Sequence, residues 1–379
     1  MHVLISSLPS HGHTYPLLPL AIAAKEHGHR VTYATDASFH PVLISLGFDV
    51  VDVGTTITDA FNQVTQGSPP DFSDVEAMSE VVSSVFISVL ARGIAADLGP
   101  ILAREKPDLV LYEAGSPGAG LAAKAAGIPV LCHAFGRGAL GNTFPSFLTK
   151  NAEVAAELGV DYDPAGPFPD PYLDIYPASL QDKEFLTFPK RIPLRPVAFA
   201  EPGELPAWVA EHDKPLVYLT LGTAFGQAGV LRTAIDGLAT LPARVIVAAG
   251  PTVEIADLGT APDNVTVLPW VPQADLLPHT DLVVHHGGSG TTLGALAAGV
   301  PQLFIPQGAD QFVNADAVTE GGAGVQLVGD AITVEAVAAR AADLLADDAV
   351  AARSREVAAE IAAMPSPAET AATLETLGA

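Results

Sequence analysis

His285-His-Gly-Gly-Ser-Gly-Thr291 follows the apolar run Leu282–His285 and precedes a second one, Gln302–Ile305. The order reads as strand, glycine-rich turn, helix start and second strand. That strand ends in a loop, Gly308-Ala-Asp-Gln311, with two polar side chains, and Trp270-Val-Pro-Gln273 lies upstream. A strand, a helix and another strand at this spacing form a βαβ unit, which implies a parallel sheet covered on both faces. The glycine-rich turn leaves backbone N–H groups uncovered, and the helix start adds partial positive charge. Together they suit a phosphate or diphosphate without lysine, arginine or a metal.

The same grammar recurs at the amino end. Val3–Leu8 is a continuous apolar run, the mark of a buried parallel strand. A loop over Pro9–Tyr15 leads to a predicted helix over Pro16–His27, closed by Gly28, and then to a strand at Arg30–Ala34. Leu109–Tyr112, Val130–His133, Leu216–Thr220, Val245–Ala248 and Val265–Leu268 read as further strands. Ala125-Ala-Gly-Ile-Pro-Val-Leu131 and Ala297-Ala-Gly-Val-Pro-Gln-Leu303 both carry a helix end, glycine, proline and a buried strand. An α/β fold of two doubly wound halves follows: a first domain over 1–195, a proline- and charge-rich linker at 196–214, and a second domain over 215–365. Ser366-Pro-Ala-Glu369 is a capping box that starts one last amphipathic helix, 366–379.

The bulk numbers narrow the partners. A formal charge of −25 over 379 residues argues against nucleic acid and against an anionic membrane surface. A single cysteine, Cys132, excludes an intramolecular disulfide and fits a reducing compartment. The uncharged run from Leu282 to Ala309 is broken by glycines and prolines, and Val81–Leu90 is too short to span a bilayer and ends at Arg92. With no basic leader segment apparent, a cytoplasmic protein, monomer or homodimer, is expected.

The stretch from Trp270 to Gln311 resembles the donor-binding signature of family 1 glycosyltransferases of GT-B fold, nearest the bacterial branch that decorates macrolides and other natural products. His11-Gly-His13-Thr-Tyr-Pro16 and Leu219-Thr-Leu-Gly-Thr223 match two further markers of that family. The resemblance implies two Rossmann-like domains facing across a cleft, the first for the acceptor and the second for a nucleotide sugar, with the terminal helix crossing back to the first. It implies an inverting hexosyl transfer from a UDP- or dTDP-sugar to a small lipophilic acceptor, with neither cofactor nor metal.

Residue by residue, each assignment has a plainer rival. His13 is an ordinary loop histidine or a general base; the family pattern puts the base three residues before the proline, which selects His13 over His11. Glu113 is an exposed strand-end carboxylate or the group that orients His13, standing where relatives often carry aspartate. Trp270 is core or stacks on the nucleobase. The resemblance adds Val271 at the base edge, Gln273 at the ribose, and Gly12 among the donor contacts. It puts Thr223, His286, Gly288, Ser289, Gly290 and Thr291 round the diphosphate, and Asp310 and Gln311 on the sugar hydroxyls. Phe61, Met78, Phe86, Phe135, Phe144 and Phe147 line an acceptor pocket or are core. Adjacent His285 and His286 point to opposite faces of a strand, which disfavours a shared metal.

Rival enzymes fit less well. A dehydrogenase needs Gly-x-Gly-x-x-Gly after its first strand, where this chain has Pro-Ser-His-Gly-His, and a serine hydrolase needs Gly-x-Ser-x-Gly, where Thr291 replaces the last glycine. A GT-B sugar-nucleotide epimerase and a silent nucleotide-binding auxiliary homologue remain the alternatives.

Overall fold

The computed structural model describes residues 1–67, 75–138, 145–162, 170–224 and 226–377. They form two compact units: Met1–Ile175 with Asp182–Leu194 and Pro365–Ala379, and Tyr176–Gln181 with Arg195–Met364.

The first unit is built on seven parallel strands: β1 (His2–Ser6), β2 (Arg30–Thr35), β3 (Asp49–Asp52), β4 (Leu109–Glu113), β5 (Val130–His133), β6 (Tyr172–Asp174) and β7 (Arg191–Pro193). Their spatial order is β3-β2-β1-β4-β5-β6-β7, so the winding reverses between β1 and β4. Register pairs Ser6 with Tyr112 and Glu113 with His133, which brings the carboxyl ends of β1, β4 and β5 together. Open α/β sheets bind ligands outside such a reversal.

The helix expected to begin at Pro16 begins earlier. His11–Thr14 is already one α-helical turn, followed by a tighter turn at Tyr15–Leu17 and the helix Leu18–Glu26. Ser7, Thr14 and Tyr33 account for this. Ser7 Oγ lies 3.0 Å from both the Thr14 and Tyr33 hydroxyls, and Thr14 donates to the Leu8 carbonyl, so buried bonds fold the chain back before the proline.

Residues 75–105 run as one helical stretch through a π-helical segment, Ser84–Ala91. The apolar run Val81–Leu90 ends at Arg92 but the helix does not: Arg92 turns aside to grip Glu157 at 2.9 and 3.0 Å while the helix continues. Glu76–Glu105 is long and apolar enough to cross a membrane, by length and composition alone. Its Val85, Leu90, Ile94, Leu98 and Leu102 are buried within the unit.

Residues beyond 364 belong to the first unit as well. Ser366 and Glu369 form the reciprocal capping box with Pro367 in the first turn. The result is two short helices, Pro367–Ala371 and Leu374–Leu377, instead of one. The first packs on Leu18–Glu26, and His29 Nε2 sits 3.2 Å from the Ala371 carbonyl.

The second unit has six parallel strands: β8 (Leu216–Thr220), β9 (Arg244–Ala248), β10 (Val265–Leu268), β11 (Leu282–His285), β12 (Gln302–Phe304) and β13 (Gly324–Gln326). Their order, β10-β9-β8-β11-β12-β13, repeats the winding of the first unit, with the reversal between β8 and β11. The repeated Gly-x-Pro segments enter β5 and β12, the fifth strand of each sheet. Alternate side chains build a core on each face: Val217, Leu219, Val245 and Val247 on one, Leu216, Tyr218, Ile246 and Ala248 on the other.

Two boundaries differ from the sequence reading. The stretch set aside as linker is partly structured, because Val209 is buried in the core beside Leu216 and the Arg244 guanidinium lies 5.0 Å from the Trp208 ring. Tyr176–Gln181 joins the second unit through the Tyr176 hydroxyl on Asn314 and the Ser179 N–H on Glu360.

Candidate active site

Two groups of polar residues lie at the two strand reversals. In the first unit, His13 Nδ1 is 3.0 Å from Glu113 Oε1, and the Gly115 N–H donates to the same oxygen. Glu113 is fully buried at the end of β4, not exposed. A side chain at residue 115 would strike this pair, since a Cβ there would sit 2.7 Å from Glu113 Oε1 and 3.0 Å from His13 Nδ1. His11 is turned elsewhere, its ring packed edge-on against Tyr15 and Phe39.

Aromatic rings border His13. Its ring centroid is 4.7 Å from that of Phe135 and 6.5 Å from that of Phe86, and Phe61 meets Phe86 edge-on. All three phenylalanines keep partly exposed surface. Phe147 packs with Phe86 against a cluster of Ile87, Ala91, Leu121, Val154 and Ala155, and Met78 is half-buried on the helix Val75–Ser83. Phe144 lies outside the described residues. Gly12 is exposed in the His11–Thr14 turn.

In the second unit the glycine-rich turn is held from below. His285 Nδ1 accepts the Gly287 N–H at 3.2 Å, which leaves Nε2 to carry the ring hydrogen toward Gln302 Oε1 at 2.8 Å. Burial, with His286 beside it, pushes the His285 imidazole down to about 3, so it stays neutral. The two imidazoles diverge, their planes 86° apart. His286 is pressed between Gly222 and Gly288, where a Cβ at either position would come within 2.4 Å of its Nε2. Burial lowers its imidazole to about 4, opposed by a hydrogen bond to the Thr220 backbone, and its Nδ1 is buried without a partner.

The helix Ser289–Ala298 starts at Gly288 with no side chain capping it, so its first-turn N–H groups remain for an outside acceptor. The hydroxyls of this turn point elsewhere. Ser289 donates to Asp310 Oδ2 at 2.8 Å, and Thr291 to Gln273 Oε1 at 3.0 Å. Gln311 is buried, and its Oε1 accepts the Gln307 and Gly308 N–H groups. That grip steadies Ala309, which holds the left-handed φ of +53° that an L side chain rarely adopts. Trp270 is 39% exposed, unlike a core tryptophan, whereas Val271 is buried. Thr223 is half-buried in the turn after β8, and Gly290 is exposed.

Sequence reasoning missed Asn314, Gln302, Gly115 and the bracing role of His285. Only Gly115 carried a local signal, as the glycine of Gly115-Ser-Pro117 after a strand-end acid.

Two parallel, doubly wound sheets with polar groups at their reversals define a protein of the nucleotide-binding α/β class. Residues 232–377 match the family described as erythromycin biosynthesis protein CIII-like, C-terminal domain. The L-demethylnoviosyl transferase of Streptomyces niveus is 34% identical over 87% of this chain and 86% of its own. The elloramycin glycosyltransferase ElmGT of Streptomyces olivaceus is 34% identical, covering 89% of each. Among solved structures, the Streptomyces sp. SF2575 glycosyltransferase SsfS6, complexed with thymidine diphosphate, superposes with a TM-score of 0.82 at 28% identity over 99% of both chains. The chain belongs to the family 1 glycosyltransferases of GT-B fold, the enzymes of natural-product biosynthesis that take a sugar from a nucleotide sugar.

Proposed function

We propose that the chain is an inverting, metal-independent hexosyltransferase that moves a sugar from a UDP- or dTDP-sugar to a small lipophilic acceptor, with the nucleoside diphosphate as leaving group. The observation that carries this reading is the buried carboxylate of Glu113 beside His13 Nδ1. A carboxylate at Nδ1 favours the tautomer with its hydrogen there and leaves the Nε2 lone pair to take a hydroxyl proton. It then stabilises the imidazolium that forms. The freed oxygen attacks the anomeric carbon from the side opposite the leaving phosphate, which inverts that centre.

The first unit supplies the base and the second supplies the donor nest. Phe61, Phe86 and Phe135 give the base apolar surroundings suited to an aromatic or polyketide-like acceptor. Exposed Trp270 stacks on the base and Val271 meets its edge, while Gln273 reads the ribose. Asp310 and the amide NH2 of Gln311 take the sugar hydroxyls. First-turn N–H groups, helix dipole and His286 hold the diphosphate charge, aided by Thr223. The thymidine diphosphate in SsfS6 supports a pyrimidine nucleotide here.

The test is a panel of UDP- and dTDP-sugars with aromatic acceptors, scored for acceptor-dependent nucleotide release. His13→Ala should lose about 10²–10⁴-fold in turnover while donor affinity holds within a few-fold. Turnover retained in that variant overturns the base assignment. Transfer abolished by EDTA and restored by magnesium overturns metal independence, and donor binding without acceptor-dependent release points to a silent homologue.

A further inference from the structure

The hydroxyl of Ser289 has one hydrogen, and an ionised carboxylate only accepts, so the 2.8 Å contact commits that hydrogen to Asp310 Oδ2. Asn314 closes the arrangement. Its amide nitrogen reaches Ser289 Oγ at 3.0 Å, the same Asp310 oxygen at 3.2 Å and the Gly287 carbonyl at 2.9 Å. Two of those partners accept only, so the group facing them is the NH2, and the amide oxygen receives the Tyr176 hydroxyl at 3.3 Å. Asn314 is 1% exposed and Ser289 7%, so water does not compete for these bonds. Thr291 repeats the pattern through its bond to Gln273. Neither hydroxyl of the glycine-rich turn aims a hydrogen at an incoming anion.

We propose that Ser289 and Asn314 are positioning residues for the donor sugar, acting by fixing the Asp310 carboxylate, and that the diphosphate is held by backbone N–H groups and not by the Ser289 hydroxyl. This rests on the donor-site reading above. Asp310 opens the helix Gln311–Glu320 with no side-chain cap bond of its own, so Ser289 and Asn314 are what hold its rotamer. One of its oxygens is spent on them, which leaves the other to take a sugar hydroxyl.

The experiment titrates the wild-type protein, Ser289→Ala, Ser289→Thr and Asn314→Ala with UDP, dTDP and their glucose conjugates by calorimetry, then measures steady-state transfer. Thermal unfolding of each variant reports its fold. Ser289→Ala should bind nucleoside diphosphate within about threefold of wild type yet lose about tenfold in kcat/KM for the nucleotide sugar. Asn314→Ala should move the same way, Ser289→Thr should recover most of the loss, and Ser289→Ala should add nothing to Asp310→Ala. A drop of about tenfold or more in diphosphate affinity for Ser289→Ala, with sugar discrimination intact, overturns the proposal. So does wild-type behaviour of both alanine variants toward both ligand classes. Wild-type protein that binds none of the ligands removes the donor-site reading and this proposal with it.

Discussion

Gly115→Ala is the sharpest probe of the His13–Glu113 pair because it leaves both side chains chemically unchanged and acts only on their placement. The glycine has no positive φ to protect, so alanine adds no backbone strain and only its methyl group matters. That methyl would lie 2.7 Å from Glu113 Oε1, 2.9 Å from His13 Cε1 and 3.0 Å from His13 Nδ1. Ordinary contact needs roughly 3.4–4 Å between such atoms, so the pair must shift by about half an ångström or more. Misplacement near 1 Å costs about 10²-fold in a preorganised site, so a loss of about 10–100-fold in kcat is expected, equivalent to about 1.4–2.7 kcal/mol of barrier. Nucleoside diphosphate affinity should stay within twofold, since Gly115 belongs to the first unit and the proposed donor residues to the second. The assay is single-turnover transfer at saturating donor, beside Gly93→Ala, where a Cβ meets nothing within 4 Å. Wild-type kcat in Gly115→Ala refutes the claim that this pair sets the rate.

The remaining predictions are simpler. Trp270→Ala should weaken nucleoside diphosphate binding by about 1–3 kcal/mol, read by calorimetry, and unchanged affinity would remove the stacking role. Gln302→Leu strips the buried His285 Nε2–H of its acceptor and should cost about 1–3 kcal/mol of unfolding free energy, measured with denaturant, with weaker donor binding. Burial holds His133 and His286 at about 4, below their ordinary 6.5. Their neutral folded form therefore contributes stability above pH 6.5 that is lost as pH falls toward 4, about 2 kcal/mol for each by pH 5. His133→Phe should flatten the denaturation profile over that window by one such share, and an unchanged slope would show that His133 does not titrate there.

Continuous apolar runs made the central strands legible, because a strand buried on both faces leaves little else for its residues to be. The edges were not. Asp49–Asp52 begins and ends with carboxylates, and Tyr172–Asp174 and Arg191–Pro193 are three residues each, tied by a half-buried Asp174–Arg191 ion pair that no local pattern announces. The pattern in the glycine-rich turn announced a helix start with no capping side chain, and the sequence places Glu113 at its strand end. The direction of the Ser289 hydroxyl was beyond reach, since it depends on two loops, 287–289 and 308–310, meeting a mid-helix asparagine. Asn314 has no neighbour in sequence that marks it. Ser7, Thr14 and Tyr33 pulled the first helix forward in the same unreadable way, through tertiary bonds stronger than the local preference for proline in a first turn.

The membership of Pro365–Ala379 in the first unit sets an order on the birth of the protein. Leu374 and Ala371 are fully buried there, and His29 reaches the Ala371 backbone. On the ribosome, the half made earliest must wait, with that patch of its surface bare, while some 170 residues of the other unit are synthesised. A stop codon near position 365 would leave the later-made unit whole and strip the earlier one of its last staves.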